Sequence, residues 1–355
     1  MSSGYKRFTD KVTERPGVHP AMISLLLPSA LFFGIRDIEA ILPKMSEHTL
    51  FVDRPAEANK VESYLDRVRT VAVQRMTEDG DMSLLSQWAH GKQMAWDMMS
   101  QGDEMDGYKL EPIKCETETG MWPKEEALIR LIAQEKRAGR PCIVYVGQIN
   151  RRDTTPRLIG LLEKYGMKAT VLRSTETHRV QFVRDSLANG ADAIFTNPAL
   201  VKEGIDLLEI PTYIWMYADS DSFLVQQSNR RGWRPGAKKA VKIFYLAYNK
   251  TPQAEKMSRL AKKVGAAQSL HGEIQQGIAK ILGEEDFVSR LQTATIISTE
   301  HFESDMTVDD LEPLSVFETK PEVEVEVIVK SARPRSVKVT VKIEDFVGYR
   351  QMSMF

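Results

Sequence analysis

Between residues 124 and 264, short apolar runs alternate with segments of helical periodicity, and that alternation leaves few folds open. Cys142-Ile143-Val144-Tyr145-Val146 is continuous and apolar, as is 212–217 for the most part, and the runs 169–173, 191–196 and 241–247 are predominantly apolar. A strand buried on both faces reads this way. Segments 124–138, 156–165, 176–188 and 252–264 lie between or after them, with apolar residues at helical spacing such as Leu128, Leu131 and Ile132. Strands and helices in that order predict an α/β fold, a parallel sheet covered by helices on both faces. Ligands of such sheets bind beyond the carboxyl ends of the strands. Gly147-Gln148, Arg173-Ser174-Thr175 and Thr196 stand at those ends.

Two stretches inside this block carry chemistry. The first runs Thr196-Asn197-Pro198, then on to Gly204-Ile205-Asp206-Leu207. The second is Gln227-Ser228-Asn229-Arg230-Arg231-Gly232-Trp233-Arg234-Pro235-Gly236. Arginines at i and i+3 share one face if their segment is helical, so Arg231 and Arg234 would point at one spot. Arginine keeps its charge and offers a planar fork of donors that suits phosphate oxygens. On its own such a pair reads as a solvated basic turn. The preceding glutamine, the following Pro-Gly and the upstream segment shift the reading toward phosphoryl chemistry.

The two stretches resemble motifs V and VI of superfamily two helicases and translocases, above all the Swi/Snf-type branch with its phage and mobile-element relatives. Thr196 and Gly204-Ile205-Asp206-Leu207 occupy the motif V places. Gln227, Arg231, Arg234 and Gly236 occupy those of motif VI, which in the family ends in Gln where this chain has Ala237. The resemblance covers residues 121–270 well and the preceding segment loosely. It implies a RecA-like second lobe at 121–275, a remnant of the first lobe with a helical linker at 1–120, and an acidic extension with a β-hairpin at 276–355. It further implies that Arg231 and Arg234 reach the γ-phosphate of ATP and that Gly204 allows close backbone approach. Asp206 would orient the arginines, with Gln227 beside them. Ser174, Thr175, Arg179 and Thr196 would face nucleic-acid phosphates, DNA being the expected polymer. The Arg151-Arg152 pair is open between that surface and a solvated loop.

No P-loop, GxxxxGK[ST], accompanies these motifs. Gly91-Lys92 is the sole Gly-Lys pair; Gln93 follows it, and Ser86 stands where the first glycine belongs. Gly102-Asp103-Glu104-Met105-Asp106 imitates the acidic Mg²⁺-binding motif but lacks a buried strand in front, and a loop is expected there. Ser298-Thr299-Glu300-His301 imitates it again, in the wrong order. The expectation is a motor half that binds ATP and Mg²⁺ only together with a P-loop half on another chain. The alternative is a catalytically inactive scaffold or nucleic-acid-binding module.

Composition limits the rest. The 355 residues are 42% hydrophobic and 27% charged, with a net charge of −1, which suits a globular chain of one large or two modest domains. The middle is basic on balance and the C-terminal part acidic, an arrangement compatible with a polyanionic ligand. Two cysteines, Cys115 and Cys142, make neither a disulfide framework nor a zinc site, and a reducing, cytoplasmic location is expected. The apolar run 21–35 is short for a membrane span and is broken by Pro28 and Gly34, so a buried helix over 21–33 is expected instead. Helices are also expected over 59–76 and 83–100, a strand over 49–53, and a hairpin of strands 322–330 and 336–343. That hairpin could serve as a pairing platform or simply pack on the domain.

Overall fold

The computed structural model describes residues 42–147, 149, 152–173, 178–201, 207–217, 221–270, 304–316, 323–329 and 335–341. The expected helix over 21–33 lies outside them.

Six strands form one sheet in the order β1-β8-β7-β4-β6-β5, every neighbouring pair parallel. They are β1 (Met45–Val52), β4 (Cys142–Tyr145), β5 (Ala169–Val171), β6 (Ala193–Thr196), β7 (Thr212–Trp215) and β8 (Val241–Tyr248). β2 and β3 pair separately. Helices α1 (Asn59–Asp79), α2 (Ser83–Gly91), α3 (Pro123–Arg137), α4 (Thr155–Lys164), α5 (Arg179–Ala188), α6 (Ser222–Asn229) and α7 (Pro252–Leu270) complete the main elements. The expected α/β class, a parallel sheet covered by helices on both faces, is the one observed.

Alternation along the strands splits the core in two. Cys142, Val144, Phe195, Ile214, Phe244 and Leu246 pack with the apolar faces of α1 to α4. Ile143, Tyr145, Ile194, Tyr213, Trp215 and Tyr245 pack with α5, α6 and α7. Both faces are therefore covered, which is why these strands carry no polar alternation. Helix α3 starts at Pro123, where a missing N–H costs nothing, and the Glu125 carboxylate accepts from Trp122 N at 2.9 Å. Gly139 follows its end at φ 64, the left-handed stop that glycine permits.

Two expectations are corrected below. Residues 45–52, within the expected segment 1–120, form β1, which pairs along its whole length with β8. Val61, Leu65 and Val68 of α1, with Leu84 and Trp88 of α2, enter the same core as α3, so packing shows no break at residue 120. The helix begun at Ser83 stops at Gly91 rather than near 100, and a 3₁₀ turn (Met94–Asp97) follows; glycine weakens the helix there. The stretch Gly102–Asp106, expected as a loop, enters a hairpin of β2 (Asp103–Met105) and β3 (Tyr108–Leu110). Its turn has φ 49 at Asp106 and φ 82 at Gly107, the two positive angles for which Asp-Gly is the preferred pair.

The C-terminal part contributes two pieces. Segment 304–316 straps the sheet edge: Thr49 N donates to Asp305 Oδ1 at 2.6 Å, and Arg130 Nε donates to Glu312 O at 3.0 Å. β9 (Val323–Val329) and β10 (Arg335–Val341) form the expected antiparallel hairpin, whose register sets Glu326 opposite Lys338.

At the amino edge of the sheet, buried Glu135 accepts from Arg140 Nε, Thr212 Oγ1 and, at 2.8 Å, Lys242 Nζ. Burial alone would raise its pKa; the donors from Lys242, Thr212 and Arg140 outweigh burial and hold it below the ordinary value of 4.5. The folded carboxyl thus holds its proton less tightly than the unfolded one. Its contribution is complete above about pH 4.5 and fades as pH falls through the lower folded value. Glu135→Gln is expected to cost about 2 kcal/mol at pH 7, with the gap to wild type closing on acidification. Urea midpoints at a series of pH values check this, and a gap unchanged down to pH 3 would refute it.

Candidate functional site

Helix α6 follows β7 and returns antiparallel to it, so the helix begins at the carboxyl edge and ends at the amino edge. Asp221 caps its start, accepting from Phe223 N and Leu224 N, each at 3.0 Å. Asn229 anchors its end. That side chain is 3% exposed; Trp215 Nε1 donates to Asn229 Oδ1 at 2.7 Å, and Asn229 Nδ2 donates to Tyr245 Oη at 2.8 Å. With one residue held by two adjacent strands, α6 has little freedom to roll. Its last regular bonds are Arg230 N to Gln226 O at 3.1 Å and Arg231 N to Ser228 O at 3.4 Å.

The arginines are therefore not on a helix face. Arg231 and Arg234 lie in the turn that leaves α6, while half-buried Gln227 sits in the helix itself. The turn lies at the amino edge of the sheet, opposite the strand ends where the sequence placed the ligand site. The antiparallel return of α6 is the reason. Its position is set by contact with the upstream stretch: Leu207 N donates to Arg231 O at 3.1 Å. Gly232 permits that approach. A Cβ there would lie 2.4 Å from Tyr213 Oη, 2.8 Å from Ile210 O and 3.1 Å from Leu207 O, too close for any other residue without displacement. Gly204, expected to play the close-approach role, and Asp206, expected to orient the arginines, both lie outside the described residues.

Arg230, Arg231 and Arg234 are all half-buried. Burial pushes the Tyr213 phenol well above its ordinary pKa, against the opposing influence of the Gly232 backbone and of the Arg231 and Arg234 charges. Both arginines belong to this one turn, without a shared helix face. Arg231 Nε is buried and has no hydrogen-bond partner among the described residues.

The carboxyl edge differs from expectation. Thr196 is fully buried, its hydroxyl 3.3 Å from Asn197 O and 3.5 Å from Leu172 O. It closes the strand end and presents nothing to a ligand. Arg179 opens α5, half-buried, and donates to Leu200 O at 2.8 Å. Arg152 is held by Asp103, at 2.5 Å through Nε; Arg151, Ser174 and Thr175 lie outside the described residues. Sequence reasoning missed Asn197 and Tyr217. Asn197 Nδ2 donates to Gly147 O at 2.8 Å and its Oδ1 accepts from Ala199 N at 2.9 Å, a turn role signalled by Asn before Pro. Tyr217 packs on Gly147, where a Cβ would come within 3.0 Å of the ring, and Lys256 Nζ donates to its hydroxyl at 2.7 Å.

A cavity of about 520 Å³ opens nearby, lined by Asp103, Glu104, Glu111 and Asp153 against Lys109 and Arg152. Its acidic balance makes it a poor seat for a polyanion, and it is remote from the arginine turn. Among the described residues no group of three or more His, Cys, Asp or Glu side chains could hold a metal ion, and no helix is long and apolar enough to cross a membrane.

No protein-family model matches the chain, and no curated protein matches it. Among solved structures it is similar to the C-terminal part of the Fun30 ATPase domain, with 14% identity over 61% of this chain and 89% of that one, at a TM-score of 0.42.

Proposed function

We propose that this chain is the C-terminal half of a superfamily two DNA helicase or translocase motor. Arg231 and Arg234 act on a phosphoryl group held by a P-loop half that lies outside these 355 residues. The observation that supports this best is the bonded junction of the two motif-like stretches, Leu207 N to Arg231 O at 3.1 Å. It ties Leu207, the last residue of the GIDL stretch, to the arginine turn. Phosphoryl transfer asks little covalent chemistry of a protein; it asks for positioned positive charge where the γ-phosphoryl oxygens gain negative charge. Two guanidinia carried by one turn supply that, and Mg²⁺ falls to the P-loop half. On the opposite edge, exposed Arg173 with the adjoining Ser174 and Thr175, and Arg179, are assigned to nucleic-acid phosphates, which hydroxyls and arginines hold without reading sequence.

A second reading, an inactive scaffold, draws support from the lack of any GxxxxGK[ST] stretch in the chain. Steady-state ATPase assays separate the two. The chain alone is expected to hydrolyse no ATP above background, and addition of a P-loop half to restore nucleic-acid-stimulated turnover. Silence in every such mixture supports the scaffold. Turnover by the chain alone that survives further purification and disappears in Arg231→Ala contradicts both.

A further inference from the structure

Three buried polar atoms around the arginine turn have no hydrogen-bond partner among the described residues: Tyr213 Oη, Ser228 Oγ and Arg231 Nε. They come from β7, α6 and the turn itself. Tyr213 is fully buried, and its ring stacks on Tyr145 at 6.3 Å between centroids. Its hydroxyl lies under Gly232, 2.4 Å from where a Cβ would stand. A phenol with no acceptor for its proton weakens a fold, and native chains keep few such groups. Phenylalanine would fill the same ring volume and leave nothing unsatisfied. Arg231, whose Nε–H is a donor without an acceptor among the described residues, immediately precedes that glycine. The open donor of the turn and the open phenol oxygen of β7 beneath it complete each other if the turn has a second, engaged arrangement.

We propose that Tyr213 is a positioning residue for Arg231: its hydroxyl accepts from Arg231 Nε when the guanidinium engages a phosphoryl anion. That bond gives Arg231 Nε–H its acceptor and fixes the guanidinium plane, leaving the two terminal nitrogens for the anion. Tyr213 does not touch the ligand, being buried beneath the backbone. The inference rests on the arginine role proposed above.

Thermal midpoints of the purified chain, Tyr213→Phe and Arg231→Ala, with and without inorganic pyrophosphate at constant ionic strength, test it. Without pyrophosphate, Tyr213→Phe is expected to melt about 2–4 °C above wild type, because an unsatisfied hydroxyl has gone. Pyrophosphate is expected to raise the wild-type midpoint by linkage, to leave Arg231→Ala unmoved, and to raise Tyr213→Phe by about half as much or less. With a P-loop half present, Tyr213→Phe should lower kcat more than it changes KM for ATP, as loss of orientation does. A Tyr213→Phe midpoint below wild type without the anion would make the hydroxyl a structural group of the free chain and overturn the inference. So would a full pyrophosphate increment in that variant. If the wild-type chain alone is indifferent to pyrophosphate, the mixture with a P-loop half decides: a Tyr213→Phe kcat equal to wild type there, with Arg231→Ala inactive, overturns the inference and leaves the arginine role standing.

Discussion

Lys124→Ala is expected to destabilise the chain by about 3–5 kcal/mol, the loss that follows when one partner of a buried ion pair is removed. Lys124 is 1% exposed. Its Nζ donates to Asp97 Oδ1 at 2.8 Å, Met216 O at 2.6 Å and Gln253 Oε1 at 3.0 Å, and lies 5.7 Å from the Tyr248 ring centroid. Gln253 extends the network through Nε2 to Asp97 Oδ2 and Gln93 O, both at 2.9 Å. Four separate stretches meet at this one ammonium: the 3₁₀ turn, the start of α3, the carboxyl end of β7 and the start of α7. Burial lowers the Lys124 pKa, and Asp97 opposes that shift, so truncation strands a carboxylate and a carbonyl in a dry site. Lys124→Met keeps the stem and should recover only the packing part of the loss. Urea unfolding of the two variants checks this; a methionine variant as stable as wild type would show that the network holds nothing together.

The same network explains why parts of the fold were legible and parts were not. Strands β4, β6, β7 and β8 could be read because burial on both faces leaves continuous apolar runs. The strand at 45–52 could be read as a strand, but nothing local says which sheet it joins; its register with β8 links residues far apart in sequence. Helix α6 gave little periodic signal because Ser222, Ser228 and Asn229 are buried while Phe223 is 63% exposed. Its local mark is Asp221 as N-cap, a residue type favoured there. The hairpin at 103–110 was signalled by Asp106-Gly107, overlooked because the acidic residues before it drew attention first.

At the site, the arginine pair was legible as a pair and not as a turn. Spacing alone cannot say where a helix ends, and α6 ends at Asn229 because that side chain is tied to Trp215 and Tyr245. Gly232 and Tyr213 could not be read at all, since their roles exist only where the turn meets β7. Arg152 stayed open between a phosphate-facing cation and a solvated loop residue because its partner, Asp103, is remote in sequence. Thr196 has the right residue type at a strand end, but a buried hydroxyl turned toward backbone carbonyls holds the fold rather than a phosphate.

The largest functional effect is expected at the arginines themselves. Arg231→Ala or Arg234→Ala, combined with a P-loop half, should lower turnover on the order of a thousandfold or more, the scale seen when an arginine finger is lost. Arg→Lys should recover little, because a point charge on a flexible stem does not reproduce a planar fork. Fold should be intact in both, since both side chains leave from the turn beyond α6 and are only half-buried.

Arg230 supplies the internal comparison. It carries the same charge one residue away, and its backbone still completes the last turn of α6 on Gln226 O at 3.1 Å. The decisive measurement is the steady-state ATPase of the reconstituted pair with Arg230→Ala, Arg231→Ala and Arg234→Ala in parallel, with circular dichroism and a pull-down confirming fold and assembly. The motor assignment predicts near-complete loss at Arg231 and Arg234 and a mild effect at Arg230. Equal, small losses at all three positions would contradict it.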